Sequence, residues 1–232
     1  LNATVPCVSL CETKRRGWEG ARAEESQKTD PHRSVNSFTT DFVEGVEVAR
    51  HASRLILLTG ATRSGKSRLA VELAHRFGPR ILYLATCRPT DREMTQRVAR
   101  HQQQRPASWK TIEAPNDPTA VIAQQDGAID GAILDCLTLY VSRLVMRKFT
   151  DETILRRIRT LCETMRRASF PIVTVTNEVG WGLVPITRVG RRFRDLTGLA
   201  NQLVAQAADE VYLVVAGLPL CLKRNDATQK AT

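Results

Sequence analysis

Short apolar runs alternate with amphipathic stretches along most of the chain, and the pattern begins abruptly at Leu55. Leu55-Ile56-Leu57-Leu58-Thr59 is apolar up to its last residue and closes on Gly60, the signature of a strand buried on both faces. Comparable runs recur at 81–85, 132–135, 172–176 and 211–215. Between them lie stretches of helical period at 66–77, 91–104, 117–125, 151–167 and 193–208, the first ended by Gly78-Pro79. In the stretch 151–167, Ile154, Leu155, Ile158, Leu161, Cys162 and Met165 make one continuous stripe, which Pro171 follows. Buried strands alternating with amphipathic helices predict a doubly wound, mostly parallel α/β sheet with helices on both faces. No internal repeat interrupts this reading.

Residues 1–50 differ. They are rich in Ser, Thr, Glu, Arg and Gly and show no sustained period of either kind. Cys7 and Cys11 are spaced like half a metal site, but no second Cys/His pair follows nearby. The segment reads as a disordered extension, or as translated sequence upstream of the true start, since the chain begins with Leu. Lys14, Arg15, Arg16, Glu24 and Glu25 leave no apolar core for a signal peptide. The expected division is therefore an extension over 1–50, one catalytic domain over 51–223, and a polar tail over 224–232.

Composition narrows the class. Of 232 residues, 42% are hydrophobic and 25% charged, which excludes wholesale disorder. No apolar run approaches the ~20 residues of a membrane span. Six cysteines are too sparse for a disulfide scaffold and point to a reduced, cytoplasmic protein. The net charge of +10 is uneven: residues 1–50 carry −1 and the remaining 182 carry +11. A basic body suits a polyanionic ligand, whether nucleotide or nucleic acid. Aromatic residues make up only 5%, however, which is thin for stacking single-stranded bases and disfavours nucleic acid.

The nucleotide is the better founded of the two. Gly60-Ala61-Thr62-Arg63-Ser64-Gly65-Lys66-Ser67 satisfies the phosphate-loop pattern G-x-x-x-x-G-K-[ST] at every position, between an expected strand and an expected helix. The glycines let successive N–H groups turn toward phosphate oxygens, and the new helix adds its positive end. Lys66 is placed to reach the β- and γ-phosphates, and the Ser67 hydroxyl to ligate Mg²⁺. Asp135, ending a strand expected beside the loop strand, has two readings: it holds Mg²⁺ through water, or it caps a helix that starts near Cys136. In the stretch 91–104, Met94, Val98 and His101 fall on one helical face. His101 is either a satisfied boundary histidine or a nucleophile that attacks phosphorus. His32, His51 and His75 form no cluster with it, which gives a metal site no support.

Longer stretches carry a resemblance. TGATRSGKS at 59–67, YLAT at 83–86, DREMTQRVARHQQQRPASWKTIE at 91–113 and LDCLTLYV at 134–141 are followed by TNEVGWGLVP at 176–185 and RRFRDLTGLANQLVAQAADEVYLVVAGLP at 191–219. Together they resemble the bifunctional adenosylcobinamide kinase/adenosylcobinamide-phosphate guanylyltransferase family over about 170 residues. Ala61 departs from the second glycine usual there, at a variable position of the loop. The resemblance implies a RecA-like P-loop fold, usually trimeric, hence a homo-oligomer. It implies phosphorylation of adenosylcobinamide by ATP or GTP, then transfer of GMP from GTP to adenosylcobinamide phosphate through a guanylylated His101. It also implies nucleotide contacts from the loop residues Gly60, Ala61, Thr62, Arg63, Ser64, Gly65, Lys66 and Ser67. Further contacts are implied for Ala85, Thr86 and Cys87, for Gln102, Gln103, Gln104 and Arg105, and for Glu113 and Asp135. Arg105 is placed either to stabilise charge on the α-phosphate or as a solvated surface side chain. Asn177 and Glu178, ending a strand next to the loop, either orient a reacting group or form a structural turn. Two other readings compete: a small-molecule P-loop kinase without nucleotidyl transfer, and a RecA-like ATPase that binds nucleic acid.

Overall fold

The computed structural model describes residues 54–224 apart from 88–91, 104, 114–115 and 126, and the backbone alone at 93, 94, 97, 100 and 101. The extension over 1–50, with Cys7 and Cys11, and the tail beyond Arg224 lie outside the described residues. The chain runs β1 (Leu55–Thr59), α1 (Lys66–His75), β2 (Ile81–Ala85), α2 (Arg92–Gln103), β3 (Lys110–Glu113), α3 (Pro118–Ala123) and β4 (Gly131–Asp135). It continues through α4 (Leu137–Met146), α5 (Asp151–Arg167), β5 (Ile172–Val175), a 3₁₀ turn (Val179–Trp181), α6 (Arg188–Ala207), β6 (Glu210–Val215) and β7 (Leu218–Arg224).

The strands form one sheet in the order β3-β2-β4-β5-β1-β6-β7. All neighbours are parallel except β7, which returns antiparallel beside β6. The expected doubly wound, mostly parallel α/β architecture stands, with one correction: β5 intervenes between β1 and β4, so the strand ending in Asp135 is not beside the loop strand. Strand residues alternate between two cores. Leu55, Leu57, Leu82, Leu84 and Leu134 pack against α3, α4, α5 and α6, while Ile56, Leu58, Tyr83, Val173 and Val175 pack against α1. This two-sided burial is why the strands read as continuous apolar runs.

Three elements carry weak or masked signals in the sequence. β3 (KTIE) is a four-residue edge strand with one apolar side chain. β7 contains Pro219, tolerable because the strand sits at the other edge. α6 begins five residues before its apolar stripe, because the Thr187 hydroxyl caps it by accepting from the Gly190 N–H at 3.1 Å. Its far end is also closed: the Lys223 ammonium of β7 donates to the carbonyls of Ala205, Gln206 and Ala208 at 2.6–3.1 Å.

Candidate active site

The loop after β1 is shaped by two glycines. Gly60 has φ +143°, and a Cβ there would lie 2.3 Å from the Val214 carbonyl oxygen of β6. Gly65, at φ +100°, is the N-cap of α1, and a Cβ there would meet the Gly217 Cα at 3.2 Å. Gly217 belongs to the two-residue turn joining β6 and β7, and its N–H donates to the Ser64 carbonyl at 2.8 Å. The hairpin thus braces the loop from one side. Inside it, Lys66 is 5% exposed, and its ammonium donates to the carbonyls of Gly60 and Ala61 at 2.9 and 2.6 Å and to the Ser64 hydroxyl at 3.3 Å. Thr62 and Arg63 stand exposed at the tip, Arg63 at φ +60°.

The loop opens on a cleft of about 730 Å³ at the C-terminal ends of the strands, where open α/β sheets place their ligands. Thr62 through Ser67 line it, with Ala85, Cys87, Arg105, Glu113 and Asp135 from the expected set. Asp135 does not cap α4; Cys136 is the N-cap and no side chain closes it. Instead one Asp135 oxygen accepts from the Tyr83 hydroxyl at 2.5 Å. Burial first, then the Asp135 charge, raises the Tyr83 pKa far above a phenol's ordinary value, so Tyr83 stays a donor. Over the same ring lies the Arg105 guanidinium, 3.7 Å from the centroid.

Arg105 is not a solvated surface side chain. It is 7% exposed, its Nη1 donates to Glu113 at 3.2 Å, and its Nε is buried without a partner among the described residues. Gln102 also donates to Glu113, at 3.1 Å, from the last turn of α2. Gln103 is exposed, while Gln104 and the His101 side chain lie outside the described residues. The backbone at 101 is helical, and Val98, three residues earlier on α2, lines the cleft. Thr86 does not line the cleft. It is fully buried, its N–H donates to the Asp135 carbonyl, and its hydroxyl both donates to the Cys136 carbonyl and accepts from the Cys136 N–H. It ties β2 to β4 beneath the cleft.

At the end of β5, the strand beside β1, Asn177 lines the cleft and Glu178 anchors a polar network. The Glu178 carboxylate accepts from the Thr59 hydroxyl and from the Asn201 amide of α6, and the Glu178 N–H donates to the Gly60 carbonyl at 3.2 Å. Thr176 donates to Asn201 at 2.6 Å, and Thr138 accepts from the Asn177 N–H at 2.8 Å. Sequence reasoning placed no weight on Thr59, Thr138, Thr176, Asn201 or Gly217. The Ala216-Gly217 pair, both at positive φ between two apolar runs, is the signal of a tight hairpin. Among the described residues no group of three His, Cys, Asp or Glu side chains is placed to hold a metal ion. His75 packs its ring on Trp109, with centroids 4.8 Å apart.

A braced phosphate loop facing a helix that carries a histidine narrows the possibilities, and comparison decides between them. The family model described as cobinamide kinase / cobinamide phosphate guanyltransferase matches residues 56–222. The chain belongs to this family. It is 38% identical over 181 residues to the bifunctional adenosylcobalamin biosynthesis protein CobU of Salmonella typhimurium, covering 73% of this chain and 99% of that protein. Identity is 37% to the CobP protein of the same description from Pseudomonas aeruginosa, over 72% and 96% of the two chains. It is 36% to Escherichia coli CobU, over 73% and 99%. Among solved structures, a KaiC-like protein of Pyrococcus horikoshii aligns at a TM-score of 0.42 with 14% identity, over 69% of this chain and 70% of its own. As a cobinamide kinase / cobinamide phosphate guanylyltransferase of adenosylcobalamin biosynthesis, the chain is not a kinase alone. No helix among the described residues is long and apolar enough to cross a membrane.

Proposed function

We propose that this one cleft performs both transfers, with the nucleotide triphosphate on the Gly60–Ser67 loop and His101 as the guanylyl acceptor. One observation carries the reading: α2 and the phosphate loop share a cleft, since Val98 and the loop residues Thr62 to Ser67 line the same space. In the kinase step the loop N–H groups and Lys66 hold the β- and γ-phosphates of ATP or GTP. The hydroxyl oxygen of adenosylcobinamide attacks the γ-phosphorus, and the nucleoside diphosphate leaves. Ser67 and Asp135 both line the cleft with hard oxygen donors, which fits Mg²⁺, an ion that takes one or two protein ligands beside phosphates and water. When bound, Mg²⁺ supplies neutralisation of the charge on the transferred group.

In the second step a neutral imidazole nitrogen of His101 attacks the α-phosphorus of GTP, and pyrophosphate departs. A phosphate oxygen of adenosylcobinamide phosphate then attacks that phosphorus, the N–P bond breaks, and His101 is restored. Arg105 supports this reading: a buried guanidinium with an unpartnered Nε on the cleft wall suits an anionic ligand. Glu113, Gln102, Gln103, Gln104, Ala85 and Cys87 complete the proposed nucleotide contacts, with Thr86 acting from beneath. The catalytic domain is assigned to 51–223. A homo-oligomer, trimeric by the family resemblance, is supported by the half-exposed Leu218, Leu220 and Leu222 on edge strand β7. Among the described residues Cys136, Cys162 and Cys221 are thiols outside any disulfide, which supports action in the reducing cytoplasm.

The test is covalent labelling. Incubation with GTP labelled at the α-phosphate should leave label on the denatured protein, stable in alkali and lost in acid. γ-Labelled GTP should leave none. His101→Ala should abolish the labelling and guanylyl transfer while retaining measurable kinase activity. Stable α-label on His101→Ala, or undiminished transfer by it, refutes the assignment.

A further inference from the structure

The segment between Glu178 and α6 turns its apolar side chains outward. Trp181 is 65% exposed, Leu183 95%, Val184 63% and Ile186 96%. Soluble chains seldom leave so dense an apolar group in water, and such groups mark binding surfaces. The backbone beneath them is fixed at both ends. At the first end the Glu178 N–H donates to the Gly60 carbonyl, and Glu178 holds Thr59 and Asn201. At the other, Arg191 donates to the carbonyls of Pro185 and Ile186 at 3.1 and 2.6 Å, and Gly190 leaves no room for a Cβ against Pro185. The four side chains are therefore displayed by a braced loop.

Its position is informative. Asn177 lines the phosphate cleft, and the loop leaves from the next residue. Trp181 follows Glu178 by three residues, so its Cα lies within about 11 Å of one bonded to the phosphate loop. The loop and the cleft share the C-terminal edge of the sheet, on the side of β5. The enzyme's nucleotide substrates are polyanions served by loop amides and basic groups; its other substrate is a corrinoid, a broad macrocycle with apolar faces and peripheral methyl groups. An apolar surface beside a phosphate cleft answers to the second. We propose that Trp181, Leu183, Val184 and Ile186 are the seat of the corrin macrocycle, which holds the acceptor while its arm reaches into the cleft. This assignment rests on the cobinamide kinase activity. A protein partner is better matched by the exposed leucine stripe on edge strand β7, which lies at the opposite side of β1 from β5.

Two double variants of the full chain, Trp181→Ala with Leu183→Ser and Val184→Ser with Ile186→Ser, test the proposal. All four positions are exposed, and unchanged melting temperatures would establish that the variants fold. The expected result is at least a tenfold rise in KM for adenosylcobinamide, with KM for ATP and GTP within twofold and particle mass by light scattering unchanged. Fluorescence gives an independent reading, because among the described residues Trp109 is buried and Trp181 is exposed. Adenosylcobinamide should quench the wild-type emission, and Trp181→Phe should lose most of that quenching. An unchanged corrinoid KM in both variants, or a parallel rise for nucleotide and corrinoid, overturns the proposal. So does a change in particle mass, which would make the loop a contact between copies of the chain. A wild-type protein that fails to phosphorylate adenosylcobinamide overturns the activity itself; an active wild type with indifferent loop variants overturns the corrin seat alone.

Discussion

Replacing Gly60 by alanine adds one carbon at the point where the phosphate loop leaves β1, and the consequences follow from geometry. The new Cβ would lie 2.3 Å from the Val214 carbonyl oxygen and 3.1 Å from the Ser64 hydroxyl. The first contact is with backbone inside a strand paired on both sides, so the loop must move and the strand will not. At φ +143° the residue also occupies a conformation that side chains rarely adopt, a strain of about 1–3 kcal/mol. Displacing the loop strains the Gly217 N–H to Ser64 carbonyl bond, worth a further ~1 kcal/mol. A total of about 2–4 kcal/mol corresponds to a fall in melting temperature of roughly 5–15 °C for a domain of this size.

Function should suffer more than stability, because the same movement carries the N–H groups proposed to hold the phosphates. Calorimetry and a coupled kinase assay measure both. Gly180→Ala is the control: nothing lies within 4 Å of the added carbon and the backbone is ordinary, so its effect on melting should stay within about 0.5 kcal/mol. A Gly60→Ala protein that melts within 2 °C of wild type and keeps its turnover would show that the β6–β7 hairpin does not press on the loop, and the reasoning would fail.

Other outcomes follow from the same structure. Lys66→Ala should abolish kinase turnover while the protein still melts cooperatively, as circular dichroism and a phosphate-transfer assay will report. Gly198→Ala, in the interior of α6 with nothing within 4 Å of the added carbon, should raise stability by about 0.5–1 kcal/mol in urea melts. Burial pushes the Cys136 thiol up to about 12 and the Cys162 thiol up to about 11, whereas Cys221 is exposed. Native alkylation at pH 8 should therefore modify Cys221 and spare the two buried thiols, with mass spectrometry locating the adducts.

Local signals in the chain gave away the five central strands and the phosphate loop, because both are written in consecutive residues. The strands announce themselves through burial on two faces, and the loop through fixed spacing of glycine, lysine and serine. The edges were less legible. β3 has only Ile112 to bury, and β7 mixes Pro219 and Lys223 into an exposed leucine pattern, so neither shows the double burial that marks a central strand. The strand order was also hidden. Asp135 and Glu178 each end a strand on the same edge of the sheet, and only the crossover pattern tells which strand adjoins β1.

The rest of the site belongs to contacts between residues far apart in the chain. Thr59 and Glu178 are 119 positions apart, and Tyr83 and Asp135 are 52 apart. A lone threonine at a strand end or a tyrosine inside an apolar run carries no local mark of a polar partner. Arg105 illustrates the consequence. From sequence it was equally a surface side chain, because nothing near it in the chain states that Tyr83 offers an aromatic face and Glu113 a carboxylate across two parallel strands. Parallel sheets create such groupings by construction, since every strand ends on the same edge after its own crossover. Loop chemistry can therefore be read from one motif, whereas the walls of the cleft become visible only when the sheet is assembled.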